Sequence, residues 1–187
     1  MLAGADTVLE IDGTALRLSP SLRAALRLER RFGGFHGLLK AVGEGSVSAL
    51  VALAVECGEP GNEAIILAPS PETWGARLER LAPQLVALVL ELADVDPDQG
   101  DKPRIERTAS TRTITLGQAL EELFGVATGV LGWSPSDAWA ATPAEIKVAL
   151  DQHVRLIRAQ NGVPEPSDPM TDTLDSAGLA ELKAMEA

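Results

Sequence analysis

Few side chains in this sequence have the types and spacing that chemistry requires. Asp94, Asp96 and Asp98 alternate ahead of Gly100, which resembles a calcium loop whose oxygen ligands converge on one ion. The glycine comes one residue late, however, Ile105 stands where the closing carboxylate belongs, and Pro97 stiffens the stretch. It reads as a solvated acidic linker, and no metal is expected. Cys57, His36 and His153 are the whole inventory for a nucleophile–base pair. No catalytic signature flanks Cys57, and a buried, unreactive thiol is the plainer reading. The chain has no glycine-rich phosphate loop with its lysine, no nucleophile elbow and no His-Glu-x-x-His zinc pattern. The expectation is a protein without catalytic residues or cofactor.

Two other clusters are better suited to binding. Arg17, Arg23, Arg27, Arg30 and Arg31 concentrate on and just before the first helix. They read as a solvated face whose last two members complement the helix dipole; the functional alternative is a dock for acidic chain. The run Gly132-Trp133-Ser-Pro135-Ser-Asp137-Ala-Trp139-Ala-Ala-Thr142-Pro143-Ala-Glu145 holds two of the three tryptophans. Such tryptophans either fill the corner between two helices or stand half exposed as anchors for another protein's helix.

The elements that must position these residues are mostly helical. Val8, Leu9 and Ile11 lead into Asp12-Gly13, and Ala15, Leu16 and Leu18 return, which predicts a hairpin. Ser19-Pro20, Ser70-Pro71, Ser134-Pro135 and Thr142-Pro143 each set a hydroxyl before proline, predicting four helix starts. Thr142 with Glu145, and Thr115 with Gln118, form capping boxes. Apolar periodicity predicts helices over 20–31, a short piece from Phe35 to Val42, 46–56, 71–93, 116–131 and 143–159. In 71–93 the stripe Trp74, Leu78, Leu81, Leu85, Leu88 and Leu92 stays in phase across Pro83, predicting one kinked helix. In 116–131 the buried face is Leu116, Ala119, Leu120, Leu123, Phe124, Ala127 and Val130; in 143–159 it is Ile146, Leu150, Val154 and Ile157. The fold class is mainly α: a short N-terminal hairpin, then small helical bundles. The expected organisation is 1–93 hairpin plus helical domain, 94–112 acidic linker, 113–160 helical domain with the tryptophan elbow, and 161–187 flexible acidic tail.

Composition agrees. With 187 residues, 45% of them hydrophobic, the chain can bury a core without disulfides. Only 3% are aromatic, so that core is built from Leu, Ala and Val. A formal net charge of −11 repels a phosphate backbone and disfavours nucleic-acid binding. No apolar run approaches bilayer length, and no signal-peptide pattern opens the sequence.

The segment Gly132-Trp133-x-Pro135-x-x-x-Trp139-x-x-Thr142-Pro143-x-Glu145 resembles the C-terminal motif of phage tail assembly chaperones, including those of gene transfer agents. The hairpin around Ile11-Asp-Gly13 and the helices from Leu22 to Phe32-Gly33 and from Val47 to Cys57 are similar to gene-transfer-agent tail-assembly proteins. The two resemblances cover about residues 8–58 and 116–158. They imply a non-enzymatic chaperone that coats the helical tape-measure protein, recruits tail-tube subunits, works in the producing cell's cytoplasm and is absent from the finished particle. Self-association is a further expectation. The competing reading is a structural virion component, a tail-tube or head–tail joining protein. Candidate partner-binding residues are Trp133, Pro135 and Trp139 at the elbow, and Trp74, Leu78 and Leu85 on the leucine stripe. That stripe reads equally as the protein's own core.

Overall fold

In the computed structural model, which describes residues 6–94 and 115–162, the chain opens on strand β1 (Thr7–Ile11) paired antiparallel with β2 (Thr14–Leu18). Asp12 and Gly13 make the turn with φ of 48° and 77°, the left-handed pair that a two-residue hairpin needs. Because side chains alternate along a strand, Leu9, Ile11, Leu16 and Leu18 all fall on the buried face.

Helix α1 (Leu22–Phe32) starts two residues later than Ser19-Pro20 predicts. The reason is tertiary. Ser19 N–H donates to the Cys57 carbonyl at 2.7 Å, and its hydroxyl donates to Asp6 at 2.6 Å, so Ser19 stays with the hairpin. Ser21 takes the cap, its Oγ accepting from Ala24 N–H at 3.2 Å. Gly33, left-handed at φ 68°, ends the helix.

Helices α2 (Phe35–Gly43), α3 (Val47–Cys57) and α4 (Asn62–Leu67) follow. The last has no sequence counterpart in the periodicity. Helix α5 (Trp74–Leu92) likewise starts after its predicted cap. Ser70 Oγ donates to Asp12 at 2.8 Å and accepts from Glu72 N–H, leaving Thr73 to cap the helix. The helix runs on through Pro83, and Leu81, Leu85, Leu88 and Leu92 are buried on one face.

Helices α6 (Leu116–Gly129), α7 (Pro135–Ala140) and α8 (Pro143–Gln160) complete the described chain. The architecture is mainly α, eight helices and one hairpin among the described residues. These residues fall into two units, divided after Leu150. In the first, α1 is the central element: α2, α3, α5, α6 and α7 all pack on it. The second holds the remainder of α8.

Burial departs from the predicted faces at the helix ends. In α6 Leu120 and Ala127 are buried, whereas Leu116 and Val130 are exposed, because they sit at its open termini. In α8 only Ile146 of the predicted face is buried; Leu150 is half-buried, and Val154 and Ile157 are exposed. The acidic linker, apart from Asp94, and the tail beyond Gly162 lie outside the described residues.

Candidate functional site

The tryptophan elbow is built by three successive caps. The Thr115 hydroxyl accepts from Gln118 N–H at 3.2 Å while Gln118 Oε1 accepts from Thr115 N–H at 2.9 Å, closing the box at the start of α6. Gly132, with φ 70°, lets the chain turn back so that Trp133 N–H donates to the Ala127 carbonyl at 3.0 Å. Ser134 Oγ caps α7, and Pro135 occupies its first turn, where a missing N–H costs nothing. Thr142 and Glu145 then close the second box, at 2.8 and 3.1 Å. These three capped helix starts, with the Trp133–Ala127 backbone bond, fix the path of the chain by local hydrogen bonds between side chain and backbone.

That path sets Trp139 against Phe124, ring centroids 4.2 Å apart and planes 20° from parallel. The Arg23 guanidinium carbon lies 6.0 Å from the Trp139 centroid, and Leu22 N–H donates to the Ala141 carbonyl at 2.7 Å. The elbow is thereby docked on the first turn of α1. Trp139 fills the corner, Trp133 is half-buried against the core, and Pro135 is exposed.

Two further arginines of α1 tie it to neighbouring helices, and a third lies on its own helix. Arg27 pairs with Glu56 on α3 at 3.1 Å, Arg30 pairs with Glu121 on α6, and the Arg31 guanidinium lies over Phe32. The face read as solvated links α1 to its neighbours through exposed ion pairs, each worth about 0.5 kcal/mol. Gly117 contributes from the other side: a Cβ there would stand 2.9 Å from Glu29, so its absence admits that carboxylate to the first turn of α6.

The other candidates separate. Trp74 and Leu78 line one open groove beside the turn between α2 and α3, where Trp74 is 37% exposed while Leu78 is buried and also part of the core. Leu85 is buried and belongs to the core. One member of the α5 cluster was invisible in the periodicity: Arg77, whose guanidinium carbon lies 4.9 Å from the Trp74 centroid. It is 1% exposed, and it donates to the Ile66 carbonyl at 2.9 Å and to Asp12 at 3.1 Å.

Nucleophile chemistry finds little footing. The Cys57 thiol is buried and pushed up to about 12, first by desolvation and then by Glu56 and Glu91, so it holds its proton at neutral pH. His36 is exposed at the start of α2, and no described hydrogen bond joins either histidine to Cys57. Of the calcium-like run only Asp94 is described, and its carboxylate accepts from Lys147. No group of three or more potential metal ligands forms among the described residues, and no described helix is long and apolar enough to cross a membrane.

Residues 120–160 match the family described as phage tail assembly chaperone protein, TAC. The match spans most of α6, the whole elbow and α8. No curated protein and no solved structure matches the chain at a significant level.

Proposed function

We propose that this chain is a non-enzymatic tail assembly chaperone of a phage or gene transfer agent, which covers the apolar helical stripes of a tape-measure protein and helps tail-tube assembly. The observation that carries the reading is the coincidence of the family match, residues 120–160, with the elbow whose caps and tryptophans define its shape. The family match supports a chaperone role, and the tape measure is the client we infer for it.

The physics supports it. A tape measure presents long apolar helical faces that aggregate unless covered. Exposed apolar side chains on this chain offer complementary surface: Trp74, and on α8 Val154, Leu156 and Ile157. The net charge of −11 keeps many bound copies soluble through mutual repulsion. Work in the cytoplasm of the producing cell and absence from the finished particle are parts of the same reading.

Co-expression with the neighbouring tape-measure protein tests it. The expected result is a soluble complex recovered by affinity capture of either partner. A tape measure that stays equally insoluble, with no complex recovered, overturns the proposal. Stoichiometric presence in purified particles, measured by mass spectrometry, replaces it with the structural virion reading.

A further inference from the structure

The groove at the start of α5 has a chemistry of its own. It is open to solvent, encloses about 450 Å3, and has an apolar wall of Val42, Val47, Trp74 and Leu78. Gly43 and Gly75, both exposed, also line it, and a Cβ built on either meets no described atom within 4 Å. Among the described residues, no side chain takes up the space beside them.

Its wall is preset. Trp74 is backed by the Arg77 guanidinium, and Arg77 is fixed by Asp12 and by the Ile66 carbonyl. An anchor entering the groove meets an indole already held in place, which lowers the ordering cost of binding.

The rim decides what kind of anchor. Among the described residues, the charged side chains lining the groove are Glu44 and Glu79, and no cation lines it. Glu79 makes no ion pair among the described residues, and Glu44 has only Lys40, 3.8 Å away on an exposed turn. An apolar slot edged by two carboxylates repels acidic chain and favours a cation on either side of the inserted group.

We propose that this groove receives an apolar side chain from a partner protein segment whose flanking residues are Lys or Arg. The inference rests on the chaperone reading only for the partner's being a tail protein; the chemistry of recognition stands on the groove itself. The net charge of −11 attracts a cationic segment to the chain as a whole, and Glu44 and Glu79 supply the local attraction at the groove.

The test uses the full chain and two synthetic probes: a short alanine-rich peptide with a central Leu flanked by lysines, and its counterpart with glutamates. Amide shifts of Gly43, Gly45 and Gly75 and of the Trp74 indole report binding. The lysine peptide is expected to move these signals and the glutamate peptide to leave them still. The double variant E44Q/E79Q keeps the fold, since both carboxylates are exposed, and weakens binding about fivefold. Gly75→Leu fills the groove from a helical position that favours a side chain, and abolishes binding. Equal response to both peptides, shifts confined to other surfaces, or binding indifferent to both variants overturns the proposal. Lysine-peptide binding at the groove together with an insoluble tape measure on co-expression upholds the groove and removes the chaperone reading. A soluble tape-measure complex with no peptide response at the groove overturns the groove alone.

Discussion

Arg77 of α5 reaches back to Asp12 of the hairpin turn, guanidinium to carboxylate at 3.1 Å, and so ties the second half of the first unit to its beginning. The arginine is almost fully buried while the aspartate keeps solvent on one side. The same guanidinium holds the Ile66 carbonyl and lies against Trp74. Arg80 adds a bond to the Glu10 carbonyl at 3.0 Å, so α5 grips the hairpin at two successive turns of the helix.

Removing one partner of such a pair leaves the other stranded, which costs more than the pair itself contributes. Arg77→Met preserves much of the buried volume but leaves the Ile66 carbonyl without its donor; a loss of about 2 kcal/mol is expected. Asp12→Asn keeps the left-handed turn and an oxygen for Ser70, and is expected to cost about 1 kcal/mol. Urea unfolding midpoints measure both. If the Arg77→Met midpoint equals that of the parent chain, the guanidinium is not a structural tie.

The elbow predicts a graded response. Trp139→Phe keeps a ring against Phe124 and is expected to cost about 1 kcal/mol, the margin of the larger stack. Trp139→Ala removes the ring from the corner and is expected to cost about 3 kcal/mol. Thermal unfolding followed by far-UV circular dichroism distinguishes them. Equal losses would mean that a phenyl ring recovers nothing at this corner and that the indole itself is required.

The contrast between these two places shows what a sequence can carry. The hairpin was legible because Asp12-Gly13 and alternating Leu9, Ile11, Leu16 and Leu18 are local signals, and the turn and pairing appear as read. The caps at Thr115, Ser134 and Thr142 were legible for the same reason. Ser19 and Ser70 were not, because each hydroxyl is diverted to an aspartate outside its own helix, Asp6 and Asp12. Helix α4 is only six residues long and has Gly61 at its N-cap, with no side-chain capping bond, so it leaves neither periodicity nor a stop signal. Arg77 sat between Leu78 and Trp74 as an ordinary helical arginine; only tertiary structure reveals its burial. At the candidate sites, Trp74 stands at the groove, Leu78 is buried in the core while lining the groove's wall, and Leu85, two helical turns on, is wholly in the core.

Glu91 gives a pH signature. Its carboxyl is pushed above the ordinary value, first by desolvation and then by Glu145 and Asp6. The folded chain thus holds a proton over a window in which the unfolded chain has released it. Stability therefore falls as pH rises from the ordinary glutamate value through the folded one, and the penalty is full above both. Glu91→Gln removes it. At pH 7 the variant is expected to melt about 1 °C higher, since half-exposure leaves only a few tenths of a kcal/mol. Below pH 4 the two melting curves should coincide. A variant that melts lower at pH 7 would show that the carboxylate stabilises the fold.

Cys57 supplies the sharpest check on the chemistry assigned to this chain. The thiol closes α3, is 5% exposed, and stands near 12 against an ordinary value of 9.0. At pH 8 its thiolate fraction is about one in ten thousand, and only the thiolate attacks a disulfide reagent. Labelling of the native protein should then proceed through local opening of α3, at the rate at which the α3 amides exchange with solvent. In denaturant the same thiol should react as a free cysteine does. The linkage runs the same way: the unfolded chain gives up the proton near 9 and the folded chain near 12, so stability declines as pH rises across that interval. Rapid stoichiometric labelling in native buffer at pH 8 would mean an accessible, ionised sulfur, and would return Cys57 to consideration as a nucleophile.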